Sequence, residues 1–464
     1  MKSVHYLCAA LLPLSLAACI TAPPARVDAP LPPQWQAPLP SELPHNGNLT
    51  DLSGWWRAQG DPLLVQLVEA AQGASPTIAS AAARIAQSRA DRVAAGAALA
   101  PTLDAAASVS RANQQSTLPG GTTSQAALQA AWEIDVFGGG RATRNASQER
   151  LLGARAGWHD ARVAVAAEVA TQYYSLRACE QLLLVARQDA TSRADTARLT
   201  QLSADAGFQA PATAALARAS AAEGNSRATL QRALCDIDIK GLVALSALDE
   251  PVLRAKLAAS APVAAPAIAI AAVPAQVLAQ RPDVFTAERE VAAASFDVGS
   301  ADAQRYPRLS LQGAIGAANF RTGGENTQLD TWTIGPLALT LPLFDGGRRS
   351  ANVDAAKARY DAAVVAYRSS ARQAVREVET ALVNLNSAQE RSSDAGISLE
   401  GYRQAFRASE DRYKNGLGSL LELEDARRTR LAAENAVVTL QRERSAAWIA
   451  LYRAAGGGWT AAAN

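Results

Sequence analysis

Trp132-Glu133-Ile134-Asp135-Val136-Phe137-Gly138-Gly139-Gly140-Arg141 returns, about 207 residues later, as Leu339-Thr340-Leu341-Pro342-Leu343-Phe344-Asp345-Gly346-Gly347-Arg348. In each copy a strand-like segment runs into Phe-x-Gly-Gly-Arg, and a long stretch almost free of Pro and Gly follows. Two further pairs keep the same order and nearly the same offset: Ala100-Pro101-Thr102-Leu103 with Tyr306-Pro307-Arg308-Leu309, and Ala206-Gly207-Phe208 with Asn415-Gly416-Leu417. Three anchors in register indicate an internal duplication. The repeats are 61–247 and 274–464, joined by a Pro/Ala-rich linker over 248–273.

The segments before each copy have period two. Leu103, Ala105, Ala107 and Val109 alternate with polar residues, as do Leu128, Ala130, Trp132, Ile134 and Val136. Leu309, Leu311 and Ile315 continue the pattern in the second repeat, with Leu337, Leu339, Leu341 and Leu343 in the partner segment. An apolar face opposite a polar one suits strands with lipid on one side and water on the other. The expected strands are 102–113, 124–136, 308–320 and 330–343. Trp332 and Ile334 fall in the opposite phase to the leucines after them, which places a bulge or a kink at Gly335-Pro336. Four strands cannot close a barrel, for which about eight is the minimum. Three copies of the chain would supply twelve.

Helices are expected over 76–99, 141–205 and 209–246, then over 282–304, 347–414 and 419–454. The longest, at 1.5 Å per residue, make rods of roughly 100 Å whose return helices lie antiparallel along them. Composition fits: of 464 residues 107 are alanine, and aromatic residues make up 5%. That supply is thin for an ordinary aromatic core but lets helices approach closely. The fold class is therefore mainly α with transmembrane β: duplicated long antiparallel helical hairpins forming an α-barrel, plus four β-strands per chain contributing to a trimeric twelve-stranded β-barrel.

Lys2 precedes an apolar run that ends in Leu16-Ala17-Ala18-Cys19. The run is too short for a permanent membrane helix and has small residues before a cysteine, so 1–18 reads as a signal peptide. The junction resembles the lipobox of bacterial lipoproteins, which implies that Cys19 becomes the first mature residue and carries an S-diacylglycerol and an N-acyl chain. Ile20 stands where Asp would favour the inner membrane, so the outer membrane is the expected address. Residues 19–60 form an extended, lipidated lead. Lys+Arg 45 against Asp+Glu 43 gives a net charge of +2, which lacks the basic excess of a nucleic-acid binder.

Taken together and in order, several motifs resemble the TolC-like outer membrane factors, specifically the NodT and OprM-type lipoprotein branch. They are the lipobox, Leu278-Ala279-Gln280-Arg281-Pro282-Asp283-Val284, Phe344-Asp345-Gly346-Gly347-Arg348, Tyr413-Lys414-Asn415-Gly416 and Ala455-Gly456-Gly457-Gly458-Trp459. The resemblance implies a homotrimeric exit duct in outer-membrane lipid, passive toward drugs or other small toxic compounds. It implies a periplasmic adaptor and an inner-membrane pump of the RND type as partners. The outer-membrane duct of a type I protein secretion system shares the fold, and a non-conducting scaffold lipoprotein is the alternative from another class.

By the same resemblance Glu422 and Asp425 occupy the two acidic positions of the pore constriction. Their i, i+3 spacing puts them on one helix face, and a trimer would gather six carboxylates that favour cations. Tyr413 corresponds to the family's gate latch, whose partner position at the first tip is Thr213 here. Gly418 stands where some members carry a latching arginine, so a weaker closed state is expected. Gly138, Gly139, Gly140, Gly346 and Gly347 are expected to permit the turns from barrel to tunnel. Cys179 and Cys235 fall at nearly the same height on antiparallel helices, a geometry open to a disulfide and equally to two buried thiols. No phosphate loop, zinc-protease motif or nucleophile elbow occurs, His5, His45 and His159 are scattered, and neither an enzyme nor a metal site nor a further cofactor is expected.

Overall fold

The elements follow from turn and cap signals. The computed structural model describes residues 22–32, 36, 55–58, 60–113, 120–260 and 280–459. In chain order these form α1 (Trp55–Ala58), α2 (Pro62–Ala74), α3 (Pro76–Ala97), β1 (Thr102–Ala112), β2 (Gly121–Ile134), α4 (Gly139–Asp205), α5 (Pro211–Ser246), α6 (Glu250–Ala259), α7 (Pro282–Ala303), β3 (Arg308–Thr322), β4 (Glu325–Thr340), α8 (Arg348–Lys414) and α9 (Leu420–Ala454). Helices α2, α3, α5 and α7 each open on a proline, whose fixed φ suits the first helical position and whose missing N–H costs nothing there. Helices α4 and α8 stop just before Gly207 and Gly416, both with φ near +77 (+79 and +75), a left-handed conformation that ends a helix cheaply only at glycine.

The chain divides into two compact units, each drawing on both sequence repeats: 1–29, 82–156 and 285–370, then 30–81, 157–284 and 371–464.

In the first unit the strands form one antiparallel sheet in the order β1-β2-β3-β4. Register pairs Leu103 with Ala130, Leu128 with Ile315, and Leu309 with Leu339, so the apolar residues of the four strands share a face. The pairing shifts between Leu311 and Gly313, where Gly335 and Pro336 oppose a single residue. This bulge returns Trp332 and Ile334 to the leucine face, since one extra residue reverses the phase of a period-two pattern. Strand β4 begins at Glu325 rather than 330, because Gly323-Gly324, both at positive φ, close a two-residue hairpin of the kind a right-twisted pair favours. Leu103, Val109, Ile315, Leu337 and Leu339 remain well exposed.

Helices α4 and α7 are tied within this unit by Arg289 to Glu149 (3.0 Å), Thr143 to Ser300 (2.9 Å) and Thr286 to the Gly153 carbonyl (3.1 Å). Residues 22–29 lie against α7 and α8: Tyr360 donates to the Pro24 carbonyl at 2.8 Å, Ser295 to that of Pro23, and Val27 packs on Val291, Val298 and Ala356.

The second unit holds a core richer in aromatic residues than composition implied: Trp56, Tyr173, Tyr174, Trp448 and Tyr452 are buried with Leu64, Leu67, Leu176, Leu242 and Leu382. The scarce aromatics are concentrated in one place. Asp61 caps α2 by accepting from the Leu63 and Leu64 N–H groups (3.0 and 3.2 Å) and also accepts from the Tyr173 hydroxyl. Burial pushes that phenol far above its ordinary pKa. The linker expected over 248–273 is corrected in its first half, where α6 buries Leu253 and Leu257 in this core. Its amphipathic spacing, not its Pro/Ala content, decides the structure; the remainder lies outside the described residues. Arg281 joins the two motifs at the ends of the second repeat. It is buried, pairs with Asp283 and Glu377, and donates to the Ala454 carbonyl at 3.1 Å, while a Cβ on Gly456 would stand 2.2 Å from the Gln280 carbonyl oxygen.

Among the described residues no helix is long and apolar enough to cross a membrane.

Candidate functional site

The second hairpin tip is built by the turn between α8 and α9. Ser419 caps α9 with its hydroxyl accepting from the Glu422 N–H at 3.2 Å, an interaction that fixes the first helical turn. From there the helix divides into two faces. Leu420, Leu423, Glu424 and Arg427, at i, i+3, i+4 and i+7, turn inward; Leu423 and Arg427 are buried. Leu421, Glu422, Asp425 and Arg428 face outward, as their spacing requires. Glu422 and Asp425 thus share an exposed face, and neither stands without a cation. Arg412 Nη2 is 3.8 Å from Glu422, and Asp425 pairs with Arg428 one turn on.

The inward face meets α4 through charge. Arg193 lies 2.8 Å from Asp189 and 2.6 Å from Glu424, and Arg427 pairs with Glu424 while donating to Ser192 (3.1 Å) and Thr196 (3.0 Å). Phe406 stacks beneath Arg430 at 4.0 Å. Burial draws the Arg427 guanidinium below its ordinary pKa, against the opposing pull of Glu424. None of Asp189, Arg193, Glu424 and Arg427 was singled out from the sequence. Their i, i+4 and i, i+3 spacings were visible, but such pairs recur along any charged helix.

Tyr413 also binds the first hairpin, with a partner other than the expected one. Its hydroxyl is 2.6 Å from Thr200 Oγ1, and its ring packs with Ala197, Ala217, Leu420 and Leu423. Thr213 lies past the turn, at the start of α5, while Thr200 on α4 faces the end of α8. A groove of about 600 Å³ beside this bond is lined by Ser192, Thr196, Tyr413, Lys414 and Leu423, among others.

At the starts of α4 and α8, in the first unit, the glycines take different roles. Gly346 and Gly347 have φ +67 and +88, as does Gly138 at +80, and these make the turns. Gly139 and Gly140 are corrected: they are already helical. Glycine is needed there for close approach, since a Cβ would lie 2.9 Å from Ala303 Cβ and 2.6 Å from Leu99 Cδ2 respectively. Each helix start is held by an aspartate from a non-equivalent position of the repeat. Asp135 accepts from the Gly140 and Arg141 N–H groups (3.1 and 2.9 Å), and Asp345 from those of Gly347 and Arg349 (3.0 and 3.2 Å).

Cys179 on α4 and Cys235 on α5 form a disulfide, with Cα atoms 5.5 Å apart, inside the core of the second unit. Cys19 lies outside the described residues. Among the described residues no cluster of His, Cys, Asp or Glu could hold a metal ion.

A family model described as outer membrane efflux protein matches residues 67–245 and 273–457. The pyoverdine export outer membrane protein OpmQ of Pseudomonas putida is 32% identical over 99% of both chains. The solvent efflux pump outer membrane protein SrpC of Pseudomonas putida is 29% identical over 87% of each. Among solved structures, the outer-membrane channel OprN superposes with a TM-score of 0.85 at 27% identity, over 95% of this chain and 100% of that one.

Proposed function

Since this chain belongs to the outer membrane efflux protein family, we propose that it is the exit duct of a tripartite pump, with three copies closing one twelve-stranded barrel. The chain is an outer membrane efflux channel. The observation that carries the trimer is the sheet: among the described residues its two outer strands, β1 and β4, have no partner on their far sides, and its apolar face is exposed. The apolar face is at home against lipid, whereas an open edge of unpaired N–H and C=O groups is costly there unless neighbouring sheets close the ring.

Solutes leave passively through this duct, driven by an inner-membrane pump of the RND type through a periplasmic adaptor. Relatives bear the names of pyoverdine and solvent exporters, and small organic compounds, drugs among them, are the cargo assigned here. Glu422 and Asp425 line the constriction at the tip, and Tyr413 latches it through Thr200. Cys19 carries the lipid anchor, three acyl chains at about 0.8 kcal/mol per buried CH₂.

Single-channel recording tests the constriction. Glu422→Ala and Asp425→Ala should change conductance and ion selectivity; a parent-like record from both would remove these residues from the pore. Loss of labelled palmitate from Cys19→Ala tests the anchor.

A further inference from the structure

The two carboxylates assigned to the constriction each have their own guanidinium, Glu422 with Arg412 and Asp425 with Arg428, and next to them Lys414 lies 3.1 Å from Glu410. Glu424, the third acid of the segment, is turned inward between Arg193 and Arg427 and adds nothing to the outer face. We infer that the constriction of this channel is charge-balanced, and that it passes anionic and zwitterionic organic solutes as readily as cationic ones. The inference rests on the placement of Glu422 and Asp425 at the pore.

Two features keep the cations with the acids. Arg428 sits three residues after Asp425 on the same helix, so it moves with Asp425 through any displacement of α9. Arg412 donates from Nη2 to the Leu417 carbonyl at 3.2 Å, which stitches it to the turn leading into Glu422. The pairs are solvent-exposed, so each is individually weak. Selectivity responds to something else, the net charge that an approaching ion meets within about a Debye length of 8–10 Å. Carboxylates alone would make a strongly cation-attracting ring; carboxylates and guanidiniums in equal number present dipoles, whose field fades faster with distance.

The test is the reversal potential of the full chain in planar bilayers under asymmetric KCl, with the number of chains per particle checked for every variant. The wild type should show a K⁺ to Cl⁻ permeability ratio near unity, and Arg412→Gln with Arg428→Gln should raise it several-fold. Arg412→Lys with Arg428→Lys, which keeps the charge, should hold it near unity. A wild type already strongly cation-selective overturns the inference. So does an unchanged ratio in the double Gln variant while Glu422→Gln with Asp425→Asn swings the ratio toward chloride; the constriction then stands and only the balance fails. If neither pair of substitutions alters the ratio, the placement of the constriction fails and the inference falls with it.

Discussion

The hydroxyl of Tyr413 lies 2.6 Å from Thr200 Oγ1, across 213 residues of sequence. The bond ties the end of α8 to α4 beside the turn that leads into α9 and Glu422. A hydrogen bond of this kind contributes about 1 kcal/mol net, enough to shift a balanced closed state several-fold. Tyr413→Phe and Thr200→Val should each raise open probability in single-channel records. The double variant should add nothing beyond either, because both remove the same bond; additive effects would mean that the two residues act separately.

Glu424 stands between two buried arginines, and Arg427 is fully shielded from water. Replacing the acid by Leu leaves Asp189 as the one carboxylate shared by those two cations, a partial loss that costs less than the about 3–5 kcal/mol of a fully orphaned buried charge. Thermal unfolding of Glu424→Leu should show a clear fall in Tm. Asp425→Asn, on the exposed face, should leave Tm nearly unchanged.

The disulfide between Cys179 and Cys235 closes a loop with a sequence separation of 56. In the chain-entropy account, such a closure is worth about 4 kcal/mol at most. Alkylation without reductant should leave the mass of the mature denatured protein unchanged at these two positions, and Cys179→Ser with Cys235→Ser should lower Tm. Uptake of two alkyl groups would show free thiols.

His159 is half-buried beside Trp158, at 4.9 Å between ring centroids. Burial, and secondarily the charge of Arg162, hold its pKa below the ordinary 6.5. Protonation is therefore easier in the unfolded chain, so this residue's share of stability is present above 6.5 and is lost as pH falls through 6.5 toward the lowered value. His159→Gln should remove that share of the acid sensitivity. The wild-type minus variant difference in Tm should shrink or reverse between about pH 7 and pH 5, and a difference independent of pH would contradict it.

Much of the sheet was legible because period two is a simple signal. Even the break in β4 could be placed at Gly335-Pro336, since one bulge residue is the economical way to reconcile Ile334 with Leu337. Helix α2 was missed although Asp61-Pro62 spells a cap followed by a first-turn proline, and α6 was hidden behind Pro251 and a run of alanines. At the tip, the shared face of Glu422 and Asp425 followed from spacing alone. Arg412 and Thr200 did not, because a partner brought in by a neighbouring helix or turn leaves no local pattern. The glycines were legible as special and misleading in kind: Gly346 needs its φ, whereas Gly140 needs its missing Cβ.

Everything proposed for the channel depends on several chains completing the sheet whose edges are β1 and β4. Light scattering of the detergent-solubilised protein, corrected for bound detergent, counts the chains in each particle. Three chains per particle are expected. A stable particle of one or two chains that still conducts would contradict the trimer.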